Sequence, residues 1–161
     1  MTEFRLIKKE ELSRLKDLYE SVKGKNYSIW DETYPTDKEI DKDYQLHRAY
    51  GLFDDQTLIG AITIEEEDDE LATAAQFNEN CAVELSRFCI GLDYQGQGYA
   101  KKIMALAEDV VRQKGYKALR LCVAPENKPA LVCYQNMGYK ILNETFIFGH
   151  DYYICEKILG E

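Results

Sequence analysis

Three groups of residues in this sequence have types and spacing suited to chemistry. In residues 90–104, IGLDYQGQGYAKKIM, an apolar run gives way to Gln95, Gly96, Gln97, Gly98, Tyr99 and Ala100, and helical spacing begins there. Glycine lets a backbone approach a ligand closely, and the first N–H groups of a helix have no partner inside it. Those donors, with roughly half a positive charge from the helix dipole, suit an anion such as a pyrophosphate. A tight strand-to-helix turn would use the same two glycines, so the pattern alone leaves both readings open. A P-loop is excluded, because no GxxxxGK followed by Ser or Thr occurs. A dinucleotide fingerprint fits poorly: Lys101 stands where its third glycine belongs, and the motif lies past the middle of the chain.

The second group is the carboxylate of Glu84, set in the apolar segment AVELSRFCIG. Assigned to one strand face with Ser86, Phe88 and Ile90, it is a candidate proton acceptor. It could equally be a structural carboxylate paired with Arg87 or another cation. The third group is the loop holding Tyr27, Trp30 and Tyr34. Its rings could enclose an aliphatic group or stack on a cation, or they could form a satellite core under a long loop.

Metal chemistry has little to work with. The five cysteines (Cys81, Cys89, Cys122, Cys133, Cys155) are odd in number and contain no CxxC, and only His47 and His150 could join them. We therefore expect no metal. A net charge of −9 disfavours nucleic acid and would draw in a cationic partner, or simply keep the protein soluble. No apolar run approaches the roughly 20 residues of a membrane span, and MTEFRLIKKEEL lacks the apolar stretch of a signal peptide. The expected setting is cytoplasmic, without membrane contact.

The elements that must position these groups follow from periodicity. FRLIK alternates as a strand, and Leu12, Leu15, Leu18, Tyr19 and Val22 place a helix over about residues 9–23. Thr36 and Glu39 form a capping box opening a second helix to about His47. AYGLFDD and TLIGAITIE are strands joined by a turn near Asp55. The acids at residues 65–70 and the polar stretch to Asn80 read as an exposed loop, with a brief helical turn in ATAAQF. AVELSRFCIG has the two-sided apolarity of a central strand. A helix from the glycine loop to just before Gly115 follows, then the strand ALRLCVA and a helix from about Asn127 to Gly138. YKILNETFIF and DYYICEKIL end the chain around a turn at His150–Asp151. The order is β-α-α-β-β-β-α-β-α-β-β, a mixed α/β layer structure read as one domain over residues 1–161.

Two motifs in this frame resemble a known family. Gln95, Gly98 and Ala100 match the Q/R-x-x-G-x-G/A phosphate loop of GNAT acetyltransferases. Val123, Asn127, Ala130, Tyr134, Gly138 and Tyr139 match a second landmark, V-x-x-x-N-x-x-A-x-x-x-Y-x-x-x-G-[FY]. The element order agrees along the whole chain, although the N-terminal third matches in layout only. The resemblance implies an α/β (α+β) fold, with a central mixed, mostly antiparallel sheet of about seven strands and about four helices, splayed beside the fourth strand.

It also implies an N-acetyltransferase that passes the acetyl group of acetyl-CoA to a primary amine of a small molecule by direct attack. The backbones of Phe88 and Ile90 would hold the pantetheine arm. Gln95, Gly96, Gln97, Gly98, Tyr99 and Ala100 would hold the pyrophosphate, and Asn127 and Tyr134 would contact the coenzyme. Tyr134 would be the general acid for the departing thiolate, because a phenol with pKa near 10 stays protonated at neutral pH. Glu84 would be the base and touch the acceptor, with Trp30 and Tyr34 walling its pocket. A non-catalytic acyl-CoA-binding regulator, or an acetyltransferase for proteins or peptides, are the alternative readings. A second copy of the chain is a further candidate partner.

Overall fold

Apolar spacing resolves into elements in the expected order. The computed structural model describes residues 1–66 and 70–160. In chain order these are β1 (Thr2–Leu6), α1 (Leu12–Val22), α2 (Asp37–Gln45), β2 (Ala49–Asp54), β3 (Thr57–Glu65), β4 (Ala82–Ile90), α3 (Tyr99–Gln113), β5 (Ala118–Val123), α4 (Lys128–Asn136), β6 (Lys140–Ile147) and β7 (His150–Ile158). The strands form one seven-stranded sheet in the order β1-β2-β3-β4-β5-β7-β6. Antiparallel ladders join β1 to β2, β2 to β3, β5 to β7 and β6 to β7. β4 runs parallel to β5, as a strand reached through a crossover helix does, and here the crossover is α3. Among the described residues this ladder pairs only Ala82, Val83 and Glu84 with Ala118, Leu119 and Arg120. Both strands continue beyond it, β4 to Ile90 and β5 to Val123.

The chain divides into two compact units, residues 1–64 with 87–106 and residues 65–86 with 107–161. In the first, α1 buries Leu15, Leu18, Tyr19 and Val22, the i, i+3, i+4, i+7 stripe of an amphipathic helix. Leu15, Leu18 and Tyr19 join Ile7, Ile40, Ala49, Phe53 and Ala61 in one core, with Trp30 and Cys89 packed against it. Arg5 of β1 donates Nη1 and Nη2 to the two oxygens of Glu11, each at 2.8 Å, and the Lys8 N–H adds a third bond at 2.9 Å. In the second unit, Leu119, Leu121 and Val123 of β5 are buried, as are Ile154 and Cys155 of β7. Among the described residues no helix is long and apolar enough to cross a membrane.

Several details differ from the sequence expectations. Lys9–Glu11 is a 3₁₀ turn, and α1 proper begins at Leu12. The capping box of α2 forms, with the Thr36 N–H on Glu39 Oε1 at 2.7 Å. Glu65, expected in an exposed acidic loop, is the buried last residue of β3 and accepts a hydrogen bond from Ser86 Oγ. Hydrogen bonding makes its burial tolerable. Residues 67–69 of that loop lie outside the described residues. The short helical turn is Glu70–Thr73, earlier than ATAAQF suggested. The last hairpin turns at Phe148 and Gly149, not at His150–Asp151: both have positive φ (55° and 77°), the backbone of a two-residue I′ turn.

Candidate active site

The glycine loop is built by its backbone. Gly96 and Gly98 have φ of 76° and 87°, a region that other residues enter only with strain. A Cβ on either would meet nothing within 4 Å, so dihedral angle, not crowding, calls for glycine. The first bond of α3 runs from the Lys102 N–H to the Gly98 carbonyl at 3.2 Å. Among the described residues no N–H of residues 96–101 has an acceptor at normal hydrogen-bond geometry. These donors lie in and just after the loop at the start of a 15-residue helix. The Gln95 side chain braces the turn: its Nε2 donates to the Ile90 carbonyl at 2.9 Å, and its Oε1 accepts from Asn26 Nδ2. Gln97 Nε2 donates to the Asp93 carbonyl, and the Tyr99 ring packs edge-on to Tyr94.

β4 does not alternate through its whole length. Arg87 has a φ of 44°, a left-handed residue inside a strand. Before it Val83 and Leu85 are buried, whereas Ser86, Arg87, Phe88 and Cys89 are all half-buried. The single face assumed for Glu84, Ser86, Phe88 and Ile90 is therefore interrupted at Arg87. The Arg87 side chain donates Nε and Nη2 to the two oxygens of Asp43 at 2.6 and 2.8 Å, and Nη1 to the Tyr34 hydroxyl at 2.8 Å. Asp43, fully buried, also accepts from Arg48 Nε at 2.8 Å and Thr63 Oγ1 at 3.1 Å. Sequence reading overlooked this centre. Its only signal was an aspartate on a helix face beside Ile40, with no spacing that connects it to Arg87. Beyond the kink, burial pushes the Cys89 thiol well up.

In the first unit's loop, Trp30 packs edge-on to Tyr19 (ring centroids 5.3 Å apart) and to Tyr34 (6.3 Å). Trp30 thus belongs to the core margin, while Tyr34 remains 38% exposed.

The second unit holds the other candidates. Asn127 caps α4, its Oδ1 accepting the Ala130 N–H at 3.3 Å. One α-helical stretch later, Tyr134 is buried at 9% exposure against Tyr139, ring centroids 5.9 Å apart. Its hydroxyl has no hydrogen-bond partner among the described residues, and burial pushes the phenol above its ordinary value. Tyr139 is held in turn by Glu108, which takes its hydroxyl at 2.8 Å and Lys157 Nζ at 2.7 Å. Glu84, half-buried, stands opposite Arg120 in the β4–β5 register. A depression of about 390 Å³ in this unit is lined by Ala72, Ala75, Gln76, Phe77, Asn80 and Arg120, none of them an expected site residue. Among the described residues no cluster of His, Cys, Asp or Glu could hold a metal.

Comparison with known proteins decides what this framework is. The model of the acetyltransferase (GNAT) family matches residues 14–139. The chain belongs to that family. A GNAT-family acetyltransferase from Streptococcus agalactiae superposes with a TM-score of 0.83 at 15% identity, covering 99% of this chain and 96% of that one. PaiA N-acetyltransferase of Thermoplasma acidophilum, solved with coenzyme A, gives 0.70 at 24% identity over 99% of each chain. YncA of Salmonella typhimurium, solved with its cofactor acetyl-CoA, gives 0.75 at 15% identity, covering 100% and 95%. No curated protein matches the sequence. As a GNAT protein the chain is an acyltransferase. Both landmark motifs fall inside the matched span, the glycine loop in the first unit and Asn127 with Tyr134 in the second.

Proposed function

We propose that this acyltransferase is an N-acetyltransferase that passes an acetyl group from acetyl-CoA to a primary amine of a small molecule, by direct attack and without an acetyl-enzyme. The observation that carries the reading is the run of unengaged N–H groups in residues 96–101 at the start of α3. Such a cradle suits a pyrophosphate, because its donors and the helix dipole act on the same anion. Support also comes from β4, whose ladder with β5 ends at Glu84. A strand edge beyond a ladder offers backbone groups to an amide-bearing arm, and a buried backbone group without a partner costs about 1–3 kcal/mol. The Ile90 carbonyl already accepts from Gln95 and has a second lone pair for a ligand.

Acetyl-CoA supplies, when bound, an acetyl thioester reactive toward amines. Gly96, Gln97, Gly98, Tyr99 and Ala100 hold its pyrophosphate through their backbones, and Phe88 and Ile90 hold the arm. Glu84 accepts the proton of the acceptor ammonium, directly or through water. Tyr134 keeps its proton at neutral pH and delivers it to the departing sulfur. Tyr34, with Trp30 behind it, forms a wall for the acceptor. The acidic protein, at −9, favours a cationic acceptor over an anionic one.

The test is an amine screen that detects free thiol released from acetyl-CoA by the purified protein. Thiol release that requires a small amine supports the reading. Coenzyme binding with no release across a broad panel would make this a binding protein, and release with peptides alone would make it a protein acetyltransferase.

A further inference from the structure

We infer that Arg87 is a positioning residue that pins the acceptor loop to the kink in β4. A left-handed conformation strains an ordinary L-residue, and glycine would relieve that strain. At position 87 the chain instead carries its longest cationic side chain, and that side chain is 7% exposed. Its planar fork has a use for each edge. Nε and Nη2 lock onto the saturated carboxylate of Asp43, and Nη1 reaches the hydroxyl of Tyr34. The guanidinium therefore ties three segments together: the β4 kink that precedes Phe88, the α2 helix, and the loop bearing Trp30 and Tyr34. Lysine lacks the fork and could keep only one of these links.

For the kinetics this inference rests on the proposed acetyl transfer. Its structural half does not, because Trp30 is the one tryptophan of the chain and lies 6.3 Å from the Tyr34 ring. Tyr34→Phe removes a single oxygen, the acceptor of the Arg87 bond, and Arg87→Lys removes the fork. Each variant should raise acrylamide quenching of Trp30 about twofold, since the loop then opens more often. In the same variants KM for the amine should rise about tenfold, the loss of one charge-assisted hydrogen bond, with KM for acetyl-CoA changed far less. The double variant should be no worse than Arg87→Lys alone, because Tyr34 acts through Arg87.

Unchanged Trp30 quenching in Tyr34→Phe overturns the inference, and so do fully additive effects in the double variant, which would make Tyr34 an independent acceptor contact. If Arg87→Lys fails to fold, the quenching of Tyr34→Phe alone decides. If no amine is ever acetylated, the proposed function fails, while the quenching result still judges the role of Arg87.

Discussion

Tyr134 illustrates how a single side chain is prepared by its surroundings. Its ring is held by Tyr139, which is itself fixed by Glu108 and Lys157, and its hydroxyl has no described partner. Burial penalises the phenolate, so the acid form persists above the ordinary phenol value of about 10. Tyr134→Phe should lower kcat about 10²-fold and weaken coenzyme A binding far less, measured by steady-state kinetics and calorimetry. The wild-type rate should show no decline below about pH 10 from loss of this proton. An alkaline fall centred near pH 8 that vanishes in Tyr134→Phe would refute that assignment. At this scale the sequence was informative about residue type and weak about direction. The Q-x-x-G-x-A pattern marks Gln95, yet only the fold shows its amide turned inward to Ile90 and Asn26. Arg87 entered the sequence reading only as one possible partner for Glu84, because nothing in the one-dimensional spacing connects it to Asp43.

Elements set these side chains through their ends. Gly98→Ala places a Cβ in open space at a φ of 87°, so its whole cost is conformational, about 1–2 kcal/mol. Relaxing that strain would turn the loop amides, so calorimetry should show coenzyme A binding about tenfold weaker. Full affinity in Gly98→Ala would remove the loop from the site. The link between β1 and the 3₁₀ turn before α1 is electrostatic. Two bonds from Arg5 hold the Glu11 carboxyl at about 2, against an ordinary 4.5. A lowered carboxyl stabilises the fold above its unfolded value and stops doing so as pH falls toward its folded one. Glu11→Gln should therefore cost up to about 3 kcal/mol at pH 7, and the gap to wild type in urea unfolding should close between about pH 4.5 and 2. A gap independent of pH would show that packing, not charge, is lost. The strands β1 to β7 and the helices α1, α3 and α4 were legible in periodicity, which depends only on which faces are buried, and α2 was legible in its capping box. The kink at Arg87 and the turn at Phe148 were not, because both place left-handed φ on residues that carry no local signature of it.

Across the whole molecule, charge and sulfur are distributed with consequences for assay. A net charge of −9 would attract a cationic acceptor and repel a polyanion such as acetyl-CoA, and salt would screen both. Raising ionic strength from 0.01 to 0.1 M shortens the Debye length from about 30 to 10 Å, so KM for the amine should rise while KM for acetyl-CoA falls. Two constants moving together would mean that the overall field does not steer either substrate. The cysteines, finally, are graded by access. Cys155 is buried with its thiol pushed up to about 11, Cys122 is half-buried and pushed to about 12, and Cys81 is the one exposed cysteine among the described residues. At neutral pH an aromatic disulfide reagent will thus find its first reactive sulfur at Cys81. The enzyme carries its own attachment point for a fluorophore, and blocking that point beforehand gives thiol-release measurements a quiet baseline.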